Sequence, residues 1–383
     1  MTRRQGVIGV NLLWLVPGVV GGSEEYTVRL LEAVGPHLGD DLRLRLYGRP
    51  DLFERYPALV EAHQAVVAPA DRSRVIRVAR ENTWLAAASA SDLLVHHAGG
   101  TMPVRRSVPG LVTVHDLQPL EFPEFFHPVK RWWLGRAIPA AVRRARLVLC
   151  PSRFTADRIA TLLDVAPGRL RVISHGHRPV ERDLTGLADP ADRFGRYLLL
   201  PAIAYPHKRH IDLVRAVGRL EPSLGDLSIV LTGRPGPELE AVRAEAVRAG
   251  IGDRLHELGR VPVAELELLY RSAQALVFPS AYEGFGNPAL EAMSYGCPAI
   301  VSDAGALPEV VGDAGLVVPV GDVDGLAAAV AKVVTDRGLA DDLRRRGRDR
   351  ARSFDVGIAA ERLAEVYRES VGIGRDSAGP VHR

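Results

Sequence analysis

Cysteine is nearly missing from this chain of 383 residues: Cys150 and Cys297 stand far apart, with no partner at metal-ligand spacing. That excludes a disulfide framework, gives no sign of a zinc or other metal site, and fits a reducing cytoplasm. The chain also lacks any run of ~18 uninterrupted apolar residues, the length a membrane-spanning helix needs. Charge of one sign is lacking too, since 49 basic side chains face 46 acidic ones for a net of +3. So thin an excess argues against a nucleic-acid partner. Lysine is scarcest of the charged types, at positions 130, 208 and 332 only, so arginine carries nearly all the positive charge. A lysine that survives such a bias is informative, because a compact ammonium and a planar guanidinium meet a phosphate differently. What is present is 47% hydrophobic and 25% charged residues, enough for one large or two ordinary globular domains with small-molecule business.

Arg3 and Arg4 precede an apolar stretch from Val7 to Val20 that superficially resembles a signal peptide. Asn11 and Pro17 interrupt it, no small-x-small cleavage site follows, and a buried first strand is the expected reading. Beyond it, short apolar runs alternate with longer amphipathic segments, the pattern of parallel sheets covered by helices. Strands are expected at Val7–Leu13, Leu42–Tyr47, Leu93–His96, Leu111–His115, Leu147–Cys150 and Leu170–Ser174, with helices at Glu24–Val34, Trp132–Arg144 and Ser152–Leu163. Ser152 suits an N-cap. From Gly176 to Arg196 the periodicity dissolves among Pro179, Asp183 and Pro190, the pattern of an interdomain linker. A second block has expected strands at Tyr197–Leu200, Ser228–Leu231, Ala275–Pro279 and Ala299–Ser302. Its expected helices are Ile211–Leu220, Glu238–Ala249, Val263–Ala273, Pro288–Tyr295 and those from Val323 onward, ending in a frayed tail from about Gly372. The reading is therefore an α/β protein of two doubly wound, Rossmann-like domains whose parallel sheets face across a cleft. Residues 1–180 form the first domain, 181–196 the linker and 197–355 the second, with a helix at about 356–372 returning to the first. In such folds ligands bind at the carboxyl ends of the strands, so the chemistry belongs on strand-to-helix loops.

The most informative loop runs Phe278-Pro279-Ser280-Ala281-Tyr282-Glu283-Gly284-Phe285-Gly286-Asn287-Pro288-Ala289-Leu290-Glu291. A glycine-bearing turn allows close backbone approach, Asn287 can cap, and Pro288 suits a first helical position. The helix N-terminus so made favours a phosphate or diphosphate. Glu283 and Glu291 bracket it, and carboxylates accept hydrogen bonds from sugar hydroxyls; the plainer alternative is a surface Glu283 and a dipole-favoured Glu291. Lys208, beside Arg209 at the end of another strand, offers the cation a diphosphate needs, or else is merely solvated. In the first domain Pro17–Glu24 is a glycine-rich strand-to-helix turn without the G-x-G-x-x-G spacing of a dinucleotide site. His115-Asp116 ends a strand there, placing a histidine toward the cleft, or a structural histidine. Between Glu124 and Asp157 seven basic residues and no acidic one interleave with Phe125, Phe126, Trp132 and Trp133. Such a segment, residues 125–153, either lies on an anionic membrane or has its aromatics in the core and its arginines solvated.

These motifs together resemble the retaining glycosyltransferases of family 4, with the two-domain GT-B fold. The ordered set is Gly21-Gly22-Ser23-Glu24, His115-Asp116, Pro206-His207-Lys208-Arg209-His210, the E-x7-E element Glu283 to Glu291, Gly296-Cys297-Pro298 and Leu307-Pro308-Glu309-Val310. The resemblance implies that Lys208 neutralises the donor diphosphate, Glu283 contacts sugar hydroxyls, and Glu291 binds the ribose. It implies that Gly284, Phe285, Gly286 and Asn287 hold phosphate through backbone amides, with Arg209, Gly233 and Val261 also donor-binding. His115 would face the reacting sugar, and Gly21 and Gly22 would lie near diphosphate and acceptor. No metal or cofactor is implied. The reaction implied is retaining transfer from GDP-mannose or another nucleoside-diphosphate hexose to a glycan, lipid-linked or small-metabolite acceptor, in the cytoplasm or peripherally at the inner membrane face. Many relatives carry an arginine six residues before the lysine, where this chain has Ala202. An epimerase or phosphorylase of the same fold, or a silent nucleotide-sugar-binding partner, are the alternatives.

Overall fold

The computed structural model describes residues 5–19, 21–69, 73–179 and 182–372. It divides into two compact units, one of the chain up to Gly176 together with the segment from Val356, the other His177–Asp355.

The first unit is built on a seven-stranded parallel sheet of order β3-β2-β1-β4-β5-β6-β7. Its strands are β1 Gly6–Asn11, β2 Leu42–Gly48, β3 Gln64–Val67, β4 Leu94–His97, β5 Gly110–Thr113, β6 Val148–Cys150 and β7 Leu170–Val172. The winding reverses at β1, which pairs with β2 on one side and β4 on the other and ends level with it, Asn11 opposite His97. Helix Gly22–Val34 buries Tyr26, Val28, Leu30, Leu31 and Val34. Against the same core packs helix Val356–Val371, through Leu363, Val366 and Tyr367. His96 ties the returning helix to the sheet, with Nδ1 2.8 Å from the Tyr367 hydroxyl and Nε2 2.7 Å from Thr113 Oγ1. Ser152 caps helix Arg153–Leu163, accepting from the Thr155 amide at 3.1 Å.

The second unit carries a six-stranded parallel sheet of order β10-β9-β8-β11-β12-β13. Its strands are β8 Tyr197–Pro201, β9 Ser228–Thr232, β10 Leu255–Glu257, β11 Ala275–Phe278, β12 Ala299–Ser302 and β13 Gly315–Val318. Central strands covered by helices on both faces read as unbroken apolar runs, as in Tyr197-Leu198-Leu199-Leu200 and Ala275-Leu276-Val277-Phe278, all fully buried. Here too the winding reverses at the first strand, β8, between β9 and β11.

Several expectations need correction. β5 stops at Thr113, so His115 lies past its end. The segment 182–196 is no bare linker: helix Pro190–Phe194 buries Phe194 in the second unit's core, and Arg182 pairs with the buried Glu267 at 3.2 Å. The chain passes between units at Gly176, where a Cβ would meet the Val356 Cα at 2.4 Å. The strands β3, β10 and β13 and the helices between Pro50 and Ala62 and between Arg74 and Ala88 carry no expectation above. The tail beyond Gly372 lies outside the described residues. Trp132 is not a core residue; it stands 60% exposed with the Arg136 guanidinium 4.6 Å above its ring. Among the described residues no helix is long and apolar enough to cross a membrane.

Candidate functional site

Lys208 and Glu283 come from the loops that follow β8 and β11, the two neighbouring strands between which the second sheet reverses its winding. That reversal opens a crevice at the strands' carboxyl ends, the usual ligand position in doubly wound sheets. After β8 the chain makes a 3-10 turn, Pro206–Lys208, and Arg209 takes a left-handed conformation, φ 53°, before helix His210–Gly218. Lys208 Nζ lies 2.5 Å from Glu283 Oε1, both side chains mostly buried, and 4.9 Å above the Phe278 ring. The Ala281 amide donates to the His207 carbonyl at 2.7 Å, stitching the two loops together.

A third loop, after β12, clamps Glu283. The Ala306 amide donates to the Glu283 carbonyl at 3.0 Å, and Gly305, at φ 61°, lies so close that a Cβ would stand 2.3 Å from that oxygen. The turn is closed by Gly286, φ 109°, where a Cβ would strike Leu307 at 2.5 Å. Gly286 rather than Asn287 is the N-cap of helix Asn287–Ser294. Its carbonyl receives the Ala289 amide at 3.0 Å and the Leu290 amide at 3.4 Å, and Pro288 has no N–H. The Ala289 and Leu290 amides of the first helical turn are thus already engaged within the helix. One helical turn on, the Glu291 carboxylate accepts from the Tyr270 hydroxyl at 3.1 Å. Gly233 follows β9 at φ 120°; its amide donates to the Gly259 carbonyl at 2.7 Å, and a Cβ there would meet the Ala202 backbone. Val261, two residues past Gly259, is half-buried against the core.

Arg209 is not brought to the pair: its Nε lies 2.5 Å from Asp212. It is engaged by its own helix, so Lys208 is the cation beside Glu283. Burial and the Lys208 charge hold His207 down to about 3, and burial with the same neighbours holds His210 at about 4. Both rings stay neutral near pH 7. Among the described residues no group of three or more His, Cys, Asp or Glu is arranged to hold a metal ion.

In the first unit Gly21 caps helix Gly22–Val34 at φ 79°. The glycine-rich loop is drawn in by Glu24, which is buried and accepts from the Gly18 amide at 2.8 and 2.9 Å and from the Tyr56 hydroxyl at 2.7 Å. His115 donates from Nε2 to the Ala98 carbonyl at 2.8 Å, and burial depresses it to about 4. Tyr270, Gly305 and Glu24 carry no role in the sequence reading above. Gly305, between a strand and a helix, had the same signal as Gly286; Tyr270 had none.

Residues 195–350 match the family described as glycosyl transferases group 1, and residues 20–179 match Glycosyltransferase Family 4. The chain is 33% identical, over 65% of its length and 70% of the relative's, to a lipopolysaccharide core biosynthesis mannosyltransferase, LpcC, of Rhizobium leguminosarum. This chain belongs to glycosyltransferase family 4. A second relative, O-antigen chain mannosyltransferase B of Escherichia coli, is 29% identical over 82% of this chain and 81% of its own. The Anabaena protein Alr3699/HepE, solved with UDP and glucose, superposes with a TM-score of 0.74 at 18% identity, over 95% of this family 4 chain and all of its own. That likeness establishes the fold, the paired Rossmann-like units of GT-B, and the family makes the chain a glycosyltransferase.

Proposed function

We propose that the protein is a retaining hexosyltransferase taking its sugar, mannose first, from a nucleoside-diphosphate donor such as GDP-mannose. The acceptor is a hydroxyl of a glycan, a lipid-linked saccharide or a small metabolite. The observation that carries this reading is the Lys208–Glu283 pair at the winding reversal of the second sheet. Each group is the other's partner until a donor brings a diphosphate for the ammonium and hydroxyls for the carboxylate. Lys208 and the Gly284–Asn287 amides would then stabilise the charge that grows on the departing diphosphate, with no metal required. Glu291, oriented by Tyr270, would receive the ribose hydroxyls. The anomeric C–O bond to phosphate breaks and a C–O bond to the acceptor forms on the same face. The acceptor's proton passes to the leaving phosphate oxygen. Support for mannose comes from the relatives named mannosyltransferases, whereas the solved Anabaena neighbour holds UDP, so the base is the first thing to measure.

Melting temperature against GDP, UDP, dTDP and ADP, with and without magnesium, tests the reading. One nucleotide should raise it without metal, and its sugar conjugates should then be consumed with retained anomeric configuration in product NMR. Stability indifferent to all four nucleotides would remove this reading and favour a phosphorylase-like protein, whereas a nucleotide shift with no sugar transfer would favour the silent nucleotide-sugar-binding partner.

The exposed Trp132 and Val129, with Lys130, Arg131 and Arg136 on helix Pro128–Arg144, extend the proposal to peripheral contact with an anionic membrane. Co-sedimentation with phosphatidylglycerol vesicles, lost in the double variant Arg131→Glu, Arg136→Glu, is the expected result; equal binding to neutral vesicles would reject it.

A further inference from the structure

Helix Pro128–Arg144 is weakened twice within little more than one turn. Pro139 has no N–H to return to the Gly135 carbonyl, and Gly135 is itself the poorest helix former after proline. Packing does not demand a glycine there: the residue is exposed, and a Cβ on it would meet nothing within 4 Å. Gly135 instead lines a groove of about 450 Å³ between this helix and the short segment before it. Three prolines, Leu120 and Trp132 complete the lining with Arg131 and Arg136.

The lining decides what can enter. Proline, leucine and glycine offer apolar surface, and no lining side chain carries a hydrogen-bond acceptor; the donors are the Trp132 indole N–H and the two guanidiniums. A sugar, whose hydroxyl protons need acceptors, is poorly matched, and so is an ammonium. Arg136 stands 4.6 Å over the Trp132 ring and donates to the Trp132 carbonyl at 3.3 Å, and neither it nor Arg131 has a carboxylate partner among the described residues. The chemistry that fits both halves is a hydrocarbon chain ending in phosphate. Placement adds a second constraint. Asp116, the residue after His115, accepts the Gln118 amide at 3.0 Å, where the short helix that bears Pro119 and Leu120 begins. Its charge also acts on Lys130, one residue before Arg131. The groove thus adjoins the loop that the transferase reading turns toward the reacting sugar.

We propose that the groove holds the hydrocarbon chain, and its two arginines the phosphate, of a lipid that carries the acceptor saccharide. The proposal rests on the transferase reading above and narrows its acceptor to the lipid-linked kind. It differs from contact with a bilayer, which needs only the exposed face of the helix and no groove.

Farnesyl diphosphate is the probe. In a 15N-tryptophan-labelled sample the Trp132 indole cross-peak, assigned by its disappearance in Trp132→Phe, should move on titration with it and stay in place with inorganic pyrophosphate or methyl mannoside. Arg131→Gln combined with Arg136→Gln should weaken this binding at least about tenfold. Gly135→Leu fills the groove and should abolish it, at a melting temperature equal to or above that of wild type because leucine is the better helix former. A cross-peak that farnesyl diphosphate leaves in place, or that methyl mannoside moves as far, would overturn the proposal.

Phosphatidylglycerol vesicles separate the carrier from the bilayer: Gly135→Leu should bind them as wild type does. A loss in step with farnesyl diphosphate would give the groove to bilayer lipid instead. With whichever nucleotide sugar and acceptor the wild type uses, Gly135→Leu should raise KM for the acceptor at least about tenfold and leave the nucleotide-induced rise in melting temperature unchanged. An unchanged acceptor KM would defeat the assignment. A wild type that transfers no sugar while its Trp132 signal still answers farnesyl diphosphate would sink the transferase reading alone.

Discussion

The Lys208 ammonium is mostly buried against the Glu283 carboxylate, and the proposed exchange of that partner for a donor diphosphate defines what the Lys208 variants should do. Lys208→Met leaves Glu283 as a mostly buried, unpaired charge, which costs on the order of 3 kcal/mol of stability. It should also lower turnover by about a hundredfold or more, since a fixed charge at the leaving group is lost. Lys208→Arg keeps the charge, so its melting temperature should sit near wild type while turnover still falls, because the planar fork does not fit a pocket shaped for Nζ above Phe278. Equal turnover in the arginine variant would mean that charge alone suffices there. Histidines set the pH response. Burial holds His96 and His97 at about 3, against an ordinary value of 6.5, so the unfolded chain takes up protons that the folded chain refuses. Stability is therefore complete above the ordinary value and is lost as pH falls from there toward the folded values. Between pH 6.5 and about 5 the two rings together should cost about 3 kcal/mol, read as a falling urea midpoint. His115, His207 and His210, depressed in the same way, add to that slope, so His97→Gln should lower it by about a fifth. Lys208, singled out by the scarcity of lysine, and Glu283, singled out by the E-x7-E element it forms with Glu291, are brought together as a pair. Tyr270 was not legible because it enters only through Glu291, which it meets in space.

Elements reveal themselves when they are buried on both sides and hide when they are not. β8, β9, β11 and β12 are short apolar runs and stand at or within one residue of their expected bounds. β10 reads Leu-His-Glu and is only half-buried at the sheet's edge, so nothing in its composition separates it from a loop. β3, the edge of the other sheet, is similar, with Gln64 and Val67 exposed. Arg209 shows the opposite limit: its position beside Lys208 was plain, but the left-handed turn that gives its guanidinium to Asp212 was not. The loop after β12 gives a prediction at this scale. Gly305→Ala adds a methyl 2.3 Å from the Glu283 carbonyl oxygen at a residue with φ 61°, so either the Asp303–Ala306 loop or Glu283 must move. Strain of this kind costs about 1–3 kcal/mol. If Glu283 is the group that yields, transfer should drop by about tenfold or more and the nucleotide-induced rise in melting temperature should shrink as well. Full turnover with lowered stability would show that the β12 loop alone relaxes.

At the scale of the whole chain, the winding reversals of both sheets follow from strand order, and strand order follows from chain order once β1 and β8 are recognised as first strands. The last helix, expected from about 356 to 372 to return to the first domain, lies in the first unit at Val356–Val371. Its apolar face, Leu363, Val366 and Tyr367, is an ordinary amphipathic stripe that fits any core, and the destination is set by Tyr367 meeting His96. Each unit has its own hydrophobic cores, one cluster from Phe194 to Ala351 in the second and others in the first. A nucleotide bound by residues of the second unit alone stabilises the folded form of that unit, by about 2.7 kcal/mol at a hundred times its dissociation constant. Calorimetry should then resolve two transitions, of which only one rises with nucleotide, by about 5–10 °C for a unit of this size. Leu363→Ala, which empties a fully buried position next to Tyr367, should lower the other transition by the equivalent of about 2–5 kcal/mol and leave the nucleotide-sensitive one in place. A single transition that responds to both nucleotide and Leu363→Ala would show that the units unfold together. Attribution of nucleotide binding to Lys208, Glu283 and Glu291 would then rest on the site variants alone.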